Sequence, residues 1–117
     1  MEVTVRTVTI SLASRNMVKS RFRAAMRGKA QGDYITFASP TLLWRTLTVK
    51  RMEMLQAMAG RGPLTIREVS RLVRRDVKSV HGDAGVLVAA GVLDKTDDGI
   101  EFPYDAVHVD FTLEKAA

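Results

Sequence analysis

Between Thr65 and Leu93 the chain reads TIREVSRLVRRDVKSVHGDAGVLVAAGVL, and its first half gathers Arg67, Arg71, Arg74, Arg75 and Lys78. Guanidinium and ammonium groups at this density are suited to holding phosphate, Arg by a two-pronged hydrogen bond and Lys as a point charge. Catalytic chemistry finds no comparable grouping. There is no paired nucleophile and base, no H-E-x-x-H and no Walker-type glycine loop. Gly60-Arg61-Gly62-Pro63 reads as a turn, because Pro63 lacks the N–H that a phosphate loop uses. Asp97, Asp98 and Glu101 fit a hairpin turn more simply than a cation site. Two distant histidines and no cysteine leave no metal signature. The expectation is a binding protein with no cofactor and no metal, and not an enzyme.

The cations need a frame. Thr65 and Glu68 form a T-x-x-E capping box, and Ile66, Val69, Leu72 and Val73 follow at helical spacing. Arg74-Arg75-Asp76 makes a turn, Asp76 caps a second helix over 77–90, and Gly91 stops it. On that helix Val77, Val80, Ala84, Leu87 and Val88 share the inward face. Lys78, Ser79 and Gly82 then point outward, with His81 at the boundary. Short polar or cationic side chains at the start of such a helix suit a DNA major groove. Lys78 reaches a phosphate or a guanine edge, and Ser79 donates or accepts. Arg74 and Arg75 clamp phosphates, Thr65 and Arg67 sit at a helix start that favours them, and Lys95 brings a hairpin to the backbone. Plain solubility charges account for each Arg taken singly. Helix-edge packing accounts for His81, and surface exposure for His108.

The remaining elements surround this pair. Residues 2–10 read as a strand whose alternation slips midway, from Val3 and Val5 to Val8 and Ile10, which a bulge or two-sided burial explains. Residues 14–30 read as a helix with an apolar stripe of Val18, Phe22, Ala25 and Met26. Beside it runs a basic stripe of Arg15, Lys19, Arg23 and Arg27, either a solvated face or one awaiting a neutralising partner. Residues 31–38 hold a turn and a short strand. Ser39-Pro40 opens a short helix with Leu42, Leu43, Trp44 and Leu47, and Thr48 caps another over 49–59, with Met52, Leu55, Met58 and Ala59 buried. Asp97-Asp98-Gly99 makes a three-residue hairpin turn. In 107–113, Val107, Val109, Phe111 and Leu113 alternate inward.

Helix, helix, second-helix partner and hairpin together read as an α+β winged helix-turn-helix. It carries an N-terminal strand–helix extension over 1–38 and a DNA-binding domain with C-terminal hairpin and strand over 39–117. The 117 residues carry a formal net charge of +5, with a front free of acid from Val3 to Gly32 and an acidic tail from Asp97 to Glu114. That asymmetry points to a polyanionic partner or to pairing between the ends. No apolar run approaches the roughly 18 residues of a membrane span, so a cytosolic location is the simplest expectation.

Leu47-Thr48-x-Lys50-Arg51-x-x-x-Leu55, Gly62-Pro63-Leu64-Thr65-Ile66-Arg67-Glu68, Arg75-Asp76-Val77-Lys78-x-Val80-His81-x-Asp83, Gly91-Val92-Leu93 and Pro103-Tyr104-Asp105-x-Val107-His108-Val109 recur in that order. This string resembles a family of small prokaryotic winged-helix transcriptional regulators, distantly similar to the MarR type, over roughly residues 37–113. The resemblance implies a regulator that binds double-stranded DNA through helix 77–90. Because such proteins often neighbour small toxin-like genes, it also implies the alternative of an antitoxin that neutralises a protein partner. The chain departs from the family at Gly82, where a charged residue is usual, and near Gly85, Val88 and Ala89, where polar residues are usual. The apolar second half of the helix, with Val86, Ala89 and Ala90, is therefore expected to meet a second subunit of a homodimer or a partner. Phe22, Met26 and Trp44 are the other expected interface residues.

Overall fold

Four helices of this chain begin at positions that its polar side chains select. The computed structural model describes residues 5–13 and 33–112. Ser39 accepts the Leu42 N–H and Pro40 opens α1, Pro40–Thr46. Thr48 accepts from Arg51 N–H and opens α2, Val49–Met58. Thr65 and Glu68 form the full reciprocal capping box of α3, Ile66–Val73. Asp76 accepts the Ser79 N–H at the start of α4, Val77–Ala89. Each of these four caps was expected from the residue types alone.

Among the described residues five strands complete an α+β domain. β1 (Thr7–Leu12), β2 (Asp33–Phe37) and β5 (Ala106–Asp110) form a parallel sheet in the order β2-β1-β5, while β3 (Asp94–Thr96) and β4 (Gly99–Glu101) form an antiparallel hairpin. The register pairs Ile10 with both Ile35 and Val109, and Val8 with Val107, so these side chains share one face. Val8 and Ile10 join Leu43, Met54, Leu55, Met58, Val69, Val80, Leu87 and Phe102 in a single core. Arg6 fastens the lower end of the sheet. Its N–H donates to Asp105 (2.9 Å), its Nε to Asp33 (3.2 Å) and its Nη1 to the Pro103 carbonyl (3.3 Å), while its guanidinium lies 4.9 Å from the Tyr104 ring centre. No helix among the described residues is long and apolar enough to cross a membrane.

Several expectations change here. The first strand begins at Thr7 rather than residue 2, and Val5 is exposed. The strand Thr7–Leu12 holds Val8 and Ile10 on one face without a bulge, and Val3 lies outside the described residues. The expected boundary between residues 38 and 39 runs through this sheet, whose centre is β1 and whose edges are β2 and β5. The expected helix 14–30, with Phe22 and Met26 and its basic stripe, lies outside the described residues, as does Leu113. Leu72 and Val77, read as inward, are exposed, and Met54 is buried in full. The hairpin turn holds two residues, Asp97 and Asp98, with Gly99 already in β4.

Gly99 explains that tighter turn. Its φ is +137°, and an added Cβ would meet the Leu64 carbonyl oxygen at 2.1 Å. The close approach lets Leu64 and Ile100 exchange backbone hydrogen bonds, both 2.8 Å, which tie the hairpin to the start of α3. Gly85 is the opposite case, since an added Cβ within α4 would meet nothing within 4 Å. Gly99→Ala should therefore cost about 2–3 kcal/mol through strain and clash, whereas Gly85→Ala should stabilise by up to ~1 kcal/mol through helix propensity. Urea unfolding of the two variants checks both signs.

Candidate nucleic-acid interface

A carboxylate in the middle of α4 decides which cations are free. Asp83 accepts Arg51 Nε at 3.0 Å and Arg75 Nη2 at 2.6 Å, and both ion pairs are largely buried, with 17% of each side chain exposed. Arg51 Nη1 also donates to the carbonyls of Arg45 (2.8 Å) and Thr46 (3.2 Å) at the end of α1. Arg75 is held further by its own carbonyl, which accepts the Ser70 hydroxyl, and its Nη1 is buried with no partner. The expectation of Arg75 as a free phosphate clamp is thus corrected, because its guanidinium is turned inward onto Asp83. Burial pushes the Asp83 carboxyl up, but the hydrogen bonds and charges of Arg75 and Arg51 outweigh it and hold the pKa below the ordinary value.

Thr65 is corrected in the same way. Its hydroxyl accepts Glu68 N–H (3.2 Å), its N–H donates to Glu68 Oε1 (3.1 Å), and a carboxylate already sits at the positive end of α3. Asp76 does the same at α4, where the Ser79 N–H, at 2.9 Å, lowers its pKa.

All three carboxylates between Thr65 and Leu93, namely Glu68, Asp76 and Asp83, are therefore engaged within the fold. Arg67, Arg71, Arg74 and Lys78 are exposed and make no salt bridge among the described residues. Ser79, His81 and Gly82 are exposed on α4, whose buried side is Val80, Ala84 and Leu87. Arg74 adopts the left-handed conformation at φ 56°, ψ 47° as the C-cap of α3. That conformation costs an ordinary side chain about 1–2 kcal/mol. Lys95 is exposed on the hairpin and, with His81, Gly85, Val88 and Ala89, lines a groove of about 450 Å³ between hairpin and helix.

Among the expected interface residues, Trp44, Val86 and Ala89 are exposed and Ala90 is half-buried. In the second half of α4 only Ala84 and Leu87 are fully buried, so the face expected to meet a second subunit or a partner is exposed in the single chain. Sequence reasoning missed the role of Asp83. Its signal was the acid two turns beyond Arg75, on the same side of α4 as the buried Val80, Ala84 and Leu87.

Asp83→Asn should destabilise the chain by about 2–4 kcal/mol at neutral pH, since it leaves two half-buried guanidiniums without their anion. Folding lowers the Asp83 pKa, so its contribution is complete above the ordinary carboxylate value and is lost as pH falls through the folded value. The stability gap between wild type and Asp83→Asn should therefore close below about pH 4, as read by denaturant titrations across pH.

Two comparisons bring no relative, since no curated protein and no solved structure matches the chain. A family model does match, over residues 46–109, which takes in α2, α3, α4, the hairpin and nearly all of β5. The matched span contains Arg51, Arg75 and Asp83, the capping box and the exposed cations, and it covers more than half of the chain, which therefore belongs to the HVO_A0114 family.

Proposed function

We propose that this chain is a double-stranded-DNA-binding transcriptional regulator with a winged-helix arrangement, in which the N-terminal half of α4 enters the major groove. The observation that carries the reading is the division of charge around α3 and α4. Every acid between Thr65 and Leu93 is engaged in a cap or a buried pair, while Arg67, Arg71, Arg74 and Lys78 face solvent without a carboxylate partner among the described residues. Such a surface neutralises phosphates and releases counterions. The chain order supports it, since α2, α3 and α4 precede a hairpin that bonds back to Leu64, at the α2–α3 junction. Lys78, Ser79 and Gly82 would then face bases, Arg74 the backbone beside the groove, and Lys95 the backbone beyond the hairpin.

Arg74 separates binding from stability. Glycine adopts its left-handed backbone freely, so Arg74→Gly should leave the melting temperature unchanged or raised. It should still weaken binding to duplex DNA and lower the slope of log affinity against log salt by about one. Lys78→Ala should lower that slope equally. Fluorescence anisotropy with the chain's upstream DNA and a scrambled duplex, at several salt concentrations, tests this. No binding at low salt, or slopes that neither substitution changes, would overturn it.

A further inference from the structure

Among the described residues the sheet has an open side. β5 pairs with β1 alone among the described residues, and its segment Ala106-Val107-His108-Val109-Asp110 carries no Pro, Lys or bulge to blunt an edge. The Ala106 N–H donates to the Arg6 carbonyl, which sets the phase of the ladder. Ala106, His108 and Asp110 bond toward β1, and Val107 and Val109 turn their N–H and C=O groups outward. The apolar row Ile35–Ile10–Val109 stops at this edge, where Val109 is 36% exposed. A groove of about 510 Å³ lies alongside, lined by Trp44, Val49, Met52 and Val107 among others. Trp44 and Val49 stand 54% and 75% exposed there.

We propose that two copies of this chain join edge to edge through β5, antiparallel about a two-fold axis at Val109. The register follows from what each strand would meet. With the axis at Val109, the apolar row continues as Val109 against the partner's Val109, then the partner's Ile10 and Ile35. His108 falls opposite the partner's Asp110, twice by symmetry, so an imidazole N–H donor faces a carboxylate acceptor on the other face. Val107 lies beside the partner's Phe111, and the Val109–Val109 and Val107–Phe111 pairs exchange N–H···O bonds while His108 and Asp110 form the non-hydrogen-bonded pair between them. Moving the axis to His108 sets His108 against itself and carries the row beginning at Ile35 onto the partner's Asp33. A second copy satisfies hydrogen bonds, apolar row and the His108–Asp110 pairing together, and the apolar groove beside Trp44 comes to lie at the seam of an isologous dimer. This interface uses neither α4 nor the exposed cations Arg67, Arg71, Arg74 and Lys78, so it stands or falls separately from DNA binding.

The chain has no cysteine, which makes the test clean. Residues facing each other in a hydrogen-bonded antiparallel pair have Cα atoms about 5.5 Å apart, within disulfide range. Val109→Cys in the full chain should form a covalent dimer under mild oxidant at micromolar concentration, while Ser79→Cys, exposed on α4, should not. Sedimentation equilibrium should show a wild-type dimer and at least a tenfold weaker one for Val109→Lys, with circular dichroism confirming that it is folded. A monomeric wild type, equal cross-linking at Ser79→Cys, or an undiminished dimer in folded Val109→Lys would each overturn the proposal.

Discussion

Two guanidiniums on one carboxylate hold the helical half of this molecule in place. Asp83 belongs to α4, Arg51 to α2, and Arg75 to the turn between α3 and α4. Arg51 adds the carbonyls at the end of α1, where the partial negative charge of a helix terminus favours a cation. The extra positive charge is thereby spread over peptide oxygens as well as the carboxylate. Such pairs are weak evidence for net stability, because removing three charges from water costs much of what they regain. They are better at fixing an arrangement. Asp83 can meet both partners only if α4 is turned so that Val80, Ala84 and Leu87 face the core, and that same rotation sets Lys78, Ser79 and Gly82 outward.

Charge placement then follows from helix ends. The first turns of α3 and α4 need acceptors for their unpaired N–H groups, and Glu68 with Thr65 and Asp76 supply them. An acid used this way is both a cap and a charge partly offset by the positive end of its helix. The basic character of the surface is therefore a consequence of how the helices are built, beyond the formal +5 of the whole chain. Arg74 sharpens the point. A C-cap in the left-handed conformation is most easily filled by glycine, and here a long cation occupies it at a local cost.

Features decided within four residues were legible in the sequence. Ser39-Pro40, Thr48, Thr65 with Glu68, and Asp76 all act on N–H groups three positions away, so residue type alone announces them. Features decided across the chain were not. Nothing local marks β5 as the neighbour of β1, since the Arg6–Asp105 contact spans 99 positions and alternation is blind to which strand lies alongside. Arg75 read as a surface cation because its partner lies two helical turns on and Arg51 is 32 positions from Asp83. Leu72 and Val77 read as buried because periodicity marks a stripe without its width, and both lie at its margin. At the candidate site, the unpaired cations were visible at once, while the paired one required the fold.

The glycines of α4 connect these threads. Gly82 and Gly85 occupy a helix of 13 residues, and neither is forced by a neighbour or by backbone conformation. Each weakens the helix by up to ~1 kcal/mol relative to alanine, so α4 depends on interactions outside its own propensity: the Asp76 cap, the Asp83 pairs and the burial of Val80, Ala84 and Leu87. Those interactions would hold an alanine-substituted helix equally well, so stability within the chain supplies no reason for bare backbone here. What the bare backbone does change is the outer surface of the helix. Gly82 stands one turn beyond Lys78 on the exposed side, where a missing Cβ lets a flat surface come nearer the helix axis. Gly85 faces the groove under Lys95, where the same absence makes room between helix and hairpin. A helix that keeps Lys78 in its first turn, its acid on the inner side and no side chain at these two exposed points leaves its outer face open to close approach.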